Sequence, residues 1–161
     1  MNAASGAPAA RGAWARAAVV LAVVLAADQI VKALVTGSLA RGEEREIVAF
    51  AKLVNTRNTG VAFGQLQNGG TIVSVVIAIA LIGLLVFFVR NAWRPLVWLP
   101  TGMLLGGALG NITDRVREGA VIDYLKLPHW PAFNLADASI TIGVVVLLVV
   151  IERGDRAARR S

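Results

Sequence analysis

Four apolar blocks decide what this chain can become. They cover residues 13–35, 71–89, 96–112 and 133–151, and each approaches the roughly 20 residues that a helix needs to cross a bilayer. In lipid the backbone must satisfy its own hydrogen bonds, so blocks of this kind become helices. Four antiparallel spans put both chain ends on one side and two long polar interludes, 36–70 and 113–132, on the other. The expected fold is an α-helical membrane protein. A single four-span unit, 13–152, lies between a disordered tail at 1–12 and a basic tail at 153–161.

Composition supports that reading. The 161 residues are 57% hydrophobic and 16% charged, outside the range of ordinary soluble domains. No cysteine is present, which excludes disulfides, thiolate metal sites and cysteine nucleophiles. The one histidine, His129, leaves little material for a zinc site. It lies between Pro128 and Trp130 and reads as an interfacial loop residue. A net charge of +6 raises the question of nucleic acid. However, Arg11, Arg16, Arg90, Arg94, Arg153, Arg156, Arg159 and Arg160 flank the apolar blocks, the arrangement by which a multi-pass protein meets anionic lipid. No nucleic-acid partner is expected. Arg11 and Arg16 ahead of the first block also suit a signal peptide, yet Asp28, Gln29 and Lys32 continue its helical pattern and three more blocks follow. Basic residues are equally numerous on the two sides. Those on the terminal side all lie close to span ends, which favours cytoplasmic termini.

The interludes have their own patterns. Residues 46–56 are β-branched and aromatic among charges, as in short strands or a hairpin on the membrane, and Asn58-Thr59-Gly60 marks a turn. Gly102, Gly106, Gly107 and Gly110 give the third block a small-residue face at GxxxG spacing, suited to close helix packing.

Polar groups gather at one level of the expected bundle. Asp28 and Lys32 are four apart on the first helix and can pair. Asn111, Asp114 and Arg115 end the third span; Asn134 and Asp137 begin the fourth. Asn134 suits an N-cap with Asp137 at N3, and helix capping alone would explain both. Val121-Ile122-Asp123-Tyr124-Leu125 alternates like a strand, so Asp123 is either a solvated loop residue or an acid brought to something. Two carboxylates held close cannot both ionise easily, and such a pair can activate water and protonate a leaving group. Asp28 has Lys32 in reach and Asp114 adjoins Arg115, so these read as structural, charge-paired groups. Asp123 and Asp137 remain as the pair without an obvious local cation.

In order along the chain, Asp28-Gln29 with Lys32, Asn58-Thr59-Gly60-Val61-Ala62-Phe63-Gly64, Gly110-Asn111-Ile112-Thr113-Asp114-Arg115, Val121-Ile122-Asp123-Tyr124 and Phe133-Asn134-Leu135-Ala136-Asp137 resemble the conserved blocks of bacterial lipoprotein signal peptidase (signal peptidase II), an intramembrane aspartic peptidase. The resemblance implies four transmembrane helices with a small extracytoplasmic β-cradle and a short periplasmic helix, in the bacterial inner membrane. It implies Asp123 and Asp137 as the catalytic dyad. Asn58, Gly60, Asn111, Arg115, Asn134 and Ala136 would support substrate and dyad, and Asp28 and Lys32 would fix the end of the first helix. The implied substrate is a diacylglyceryl-modified prolipoprotein cut just before its lipobox cysteine, the implied inhibitor is globomycin, and no metal or other cofactor is required. A small transporter would need polar residues at mid-bilayer, which the second and fourth blocks almost lack. A non-enzymatic scaffold would explain the glycine face but not the clustered polar groups.

Overall fold

The computed structural model describes residues 6–59 and 69–159. Four helices and a three-stranded antiparallel sheet follow one another in the order α1 (Gly6–Ser38), β1 (Glu44–Val48), β2 (Ala51–Asn58), α2 (Gly69–Asn91), α3 (Trp98–Glu118), β3 (Val121–Lys126) and α4 (Leu135–Ala158). The sheet order is β1-β2-β3. The strand-like region of the first interlude is thus a hairpin, with Arg45 opposite Leu53. β3 is added along its second strand, with Thr56 opposite Asp123. The short periplasmic helix is not found among the described residues.

Helix ends differ from the apolar blocks, each for a local reason. α1 starts at Gly6, inside the segment expected to be an unstructured tail. Ala13 and Ala17 lie a helical turn apart and are buried against Phe88, Ala92 and Val97, so tertiary packing holds this end in helix. Trp14 adds an edge-to-face contact with Phe88 at 4.7 Å between ring centroids. α3 runs six residues past the third block, through what reads in sequence as polar interlude. It stops where Gly119 takes φ 71° and donates its N–H to the Arg115 carbonyl. α4 continues through the expected basic tail to Ala158, aided by an i,i+4 Glu152–Arg156 ion pair at 2.6 Å.

The glycine face of α3 does what its spacing suggests. A Cβ at Gly102 or Gly106 would lie 2.6 or 2.8 Å from the Ala17 or Leu21 carbonyl oxygen of α1. At Gly107 it would lie 2.5 Å from the Ala136 carbonyl oxygen of α4. The small residues therefore let α3 pack backbone-close to both α1 and α4. α2 joins this unit through Phe88 and elsewhere leaves an apolar groove of about 460 Å³, lined by Leu81, Leu84, Leu104, Ile140 and Val144 among others. Among the described residues, Ala10–Ser38 and Leu135–Arg156 are each long and apolar enough to cross a membrane.

Candidate active site

Close approach of α1, α3 and α4 brings the polar residues of three helix ends together, and β3 delivers a fourth group. Asn134 caps α4. Its Oδ1 accepts the Asp137 N–H at 2.8 Å, and its own N–H donates to Asp137 Oδ2 at 3.3 Å, a reciprocal box that fixes Asp137 at N3. The same side chain reaches β3, where Nδ2 donates to Asp123 Oδ1 at 2.8 Å. One asparagine therefore touches both carboxylates. Asn111 on α3 donates to Asp137 Oδ1 at 2.7 Å and accepts from Asn134 Nδ2 at 3.1 Å. Asn58, the last residue of β2, donates to Asp123 Oδ2 at 2.9 Å.

The two acids have different settings. Asp123 is buried, with 1% of its surface exposed. Burial is the main cause that lifts its carboxyl to about 6; the hydrogen bond from Asn58 opposes the shift and the charge of Asp137 adds to it. Asp137 is half-buried and lines a cavity of about 240 Å³ with Trp130, Phe133, Ala138, Thr141 and Ile142. A carboxyl whose proton affinity is raised toward neutrality, beside a second carboxyl open to a cavity, can supply an acid and a base to one substrate.

Behind the pair sits a buried ionic cluster. Lys32 bonds Asp28 at 2.7 Å, as their i,i+4 spacing predicts. It also bonds Asp114 at 2.6 Å, and this corrects the expected pairing of Asp114 with its neighbour Arg115. Asp114 and Asn111, three apart on α3, both face Lys32 of α1. Arg115 Nε and Nη1 are buried and have no hydrogen-bond partner among the described residues. The Ala136 N–H donates to Asp28 at 3.0 Å. Gly60 lies outside the described residues, as does the Val61 to Gly64 part of its motif. Among the described residues, no three of His, Cys, Asp and Glu gather as metal ligands would.

Two participants stand in the motif blocks with no role assigned by the sequence. Gln29 donates to Asp114 at 3.0 Å, closing the cluster. Tyr124 is buried, and its hydroxyl accepts the Leu135 N–H at 2.9 Å. Burial pushes that phenol up to about 12, so it stays neutral. The Leu135 amide is the first of α4 and has no intrahelical acceptor, the one signal in sequence that some group must serve it.

The same architecture occurs in solved proteins. Two structures of a bacterial membrane enzyme determined by the in meso method, at 1.9 and 2.3 Å resolution, superpose with TM-scores of 0.78 and 0.76. Both are 30% identical to this chain; the first alignment covers 84% of this chain and 91% of that one, the second 85% and 87%. Fold and site thus define a multi-spanning helical membrane enzyme. The family model for signal peptidase (SPase) II matches residues 20–152. The lipoprotein signal peptidases of Halothermothrix orenii and Symbiobacterium thermophilum are 37% and 40% identical, each over 86% of this chain and 96% and 98% of their own length. The chain belongs to the lipoprotein signal peptidase family, the aspartic peptidases known as signal peptidase II.

Proposed function

We propose that the chain hydrolyses the peptide bond just before the lipidated lipobox cysteine of diacylglyceryl-modified prolipoproteins, with Asp123 and Asp137 as its catalytic dyad. The observation that carries this reading is the double grip of Asn134, whose side chain and backbone bond one carboxylate each. In the reaction, one carboxylate takes a proton from water as its oxygen attacks the scissile carbonyl, and the other carboxyl gives its proton to the carbonyl oxygen. Collapse of the tetrahedral adduct breaks the C–N bond. The cysteine nitrogen leaves as an amine after receiving a proton from the dyad, and the signal peptide leaves with a new carboxyl end. The elevated Asp123 carboxyl suits it to hold a proton in this cycle.

Asn58, Gly60, Asn111, Arg115, Asn134 and Ala136 are assigned to substrate and dyad support. Arg115 is favoured for substrate carbonyl oxygens because two of its nitrogens are buried without partners among the described residues. Globomycin-type inhibitors would compete for the same place. All four helices are assigned as spans, with both termini cytoplasmic and the dyad at the extracytoplasmic face of the inner membrane. Supporting this, Arg94 meets Asp155 at 3.3 Å and Arg16 stacks on Trp98, which gathers basic residues at the end of the bundle remote from the dyad.

The test is substitution of each acid in turn. Asp123→Asn and Asp137→Asn should each abolish conversion of a lipid-modified precursor, followed by gel shift, while the protein remains folded in detergent. Full activity in either variant refutes the dyad.

A further inference from the structure

We propose that Lys32, Asp28 and Asp114 form a positioning clamp that sets the spacing of Asp123 and Asp137, each acid of the clamp gripping the backbone N–H immediately ahead of one member of the pair. This rests on the dyad reading above. Asp28 Oδ1 accepts the N–H of Ala136, the residue before Asp137, at 3.0 Å. Asp114 Oδ2 accepts the N–H of Ile122, the residue before Asp123, at 3.0 Å. Both acids meet on one atom, Lys32 Nζ, at 2.7 and 2.6 Å. The two arms of the dyad come from a strand and a helix separated by a loop. Tyr124 ties β3 to the approach of α4 directly, its N–H donating to the Phe133 carbonyl at 3.1 Å and its hydroxyl accepting the Leu135 N–H at 2.9 Å; the ammonium adds a link between the two residues that immediately precede the acids.

The cluster leaves little freedom. A lysine has three donors and no acceptor. The third contact of Lys32 is Asn111 Oδ1 at 3.3 Å. That contact fixes which way the Asn111 amide faces, so Nδ2 is turned to Asp137, which it meets at 2.7 Å. Gln29 occupies the remaining Asp114 oxygen at 3.0 Å. The three charged side chains are exposed by only 0–3%. A buried ionic triad is a poor source of stability, since desolvation offsets its attraction, so geometry is the stronger reason for it to be there.

The decisive comparison is Asp114→Asn against Asp114→Leu, assayed in the full-length enzyme with a lipid-modified precursor. Asparagine keeps an acceptor for the Ile122 N–H, and leucine removes it. The expected fall in kcat is about tenfold for asparagine and on the order of 100-fold for leucine, with KM within about twofold of wild type. Lys32→Met should also lose about 100-fold in kcat. If that variant yields no folded protein, the Asp114 pair decides alone. A leucine variant that is folded by gel filtration, melts at a lower temperature and keeps wild-type kcat overturns the clamp and leaves a structural role only. Asp123→Asn and Asp137→Asn are measured beside them. If these remain active, the dyad reading fails. If they are dead while Asp114→Leu is fully active, only the clamp fails.

Discussion

Gly107→Ala gives a direct measure of how tightly packing controls chemistry in this enzyme. The added methyl would sit 2.5 Å from the Ala136 carbonyl oxygen and 2.9 Å from Ile140 Cγ1, against an ordinary contact of 3.4 Å or more. The first obstacle is backbone, so it cannot rotate away. α3 and α4 must separate by about 0.9 Å locally to clear it. Ala136 precedes Asp137, and Asn111 lies one turn from Gly107 on α3, so the Asn111–Asp137 bond of 2.7 Å spans the gap that opens. Overpacking of this kind costs about 1–3 kcal/mol in stability. A displacement near 1 Å at reacting groups costs on the order of 100-fold in rate. Gly102→Ala is the matched comparison. Its methyl meets the Ala17 carbonyl oxygen at 2.6 Å, an equal clash made against α1 about three turns from Asp28. Gly83→Ala, with nothing within 4 Å, is the neutral control. Precursor conversion per folded enzyme and thermal melting in detergent are the two readouts. The expected pattern is loss of both in Gly107→Ala, mainly loss of melting temperature in Gly102→Ala, and no change in Gly83→Ala. Gly107→Ala with kcat within twofold of wild type refutes the argument.

Two further outcomes follow from the polar groups. With the Asp123 carboxyl raised to about 6, chemistry that needs its proton is full below that pH and falls as pH rises through it, roughly tenfold per unit beyond. The Asn58 bond holds that carboxyl down, so Asn58→Ala should move the alkaline limb of the kcat–pH profile to higher pH; a shift to lower pH contradicts the assignment. Tyr124→Phe keeps the buried ring and removes the acceptor for the Leu135 N–H, and should lower stability by about 1 kcal/mol in a thermal melt.

Much of this was legible from residues alone because the strongest signals are local. Apolar blocks give helices, an Asn-x-x-Asp at a block edge gives a cap, and Asp28 with Lys32 gives an i,i+4 pair. The glycine face of α3 was equally plain, since its spacing needs no knowledge of the partner. What spacing could not show is which element each group meets. Asp114 adjoins Arg115 in sequence but faces Lys32 across a helix interface, and Tyr124 serves an amide eleven residues away through the return from β3 to α4. Helix ends depart from the apolar blocks where tertiary contacts overrule composition, as at Gly6 in α1, or where a glycine in the left-handed region sets the stop, as at Gly119.

The position of Asp137 along α4 also sets a depth. The next charged residue on that helix is Glu152, and the fifteen residue steps from Asp137 to it rise about 22 Å at 1.5 Å each. A hydrocarbon layer is about 30 Å thick. On the proposed span assignment, Glu152 and Arg153 at one boundary would put the carboxylate of Asp137 several ångströms short of the other. A freely diffusing peptide does not descend there. On the proposed dyad, only a chain already threaded into the bilayer would bring a bond to that level, and immersion itself would screen what the enzyme meets before any side chain is read.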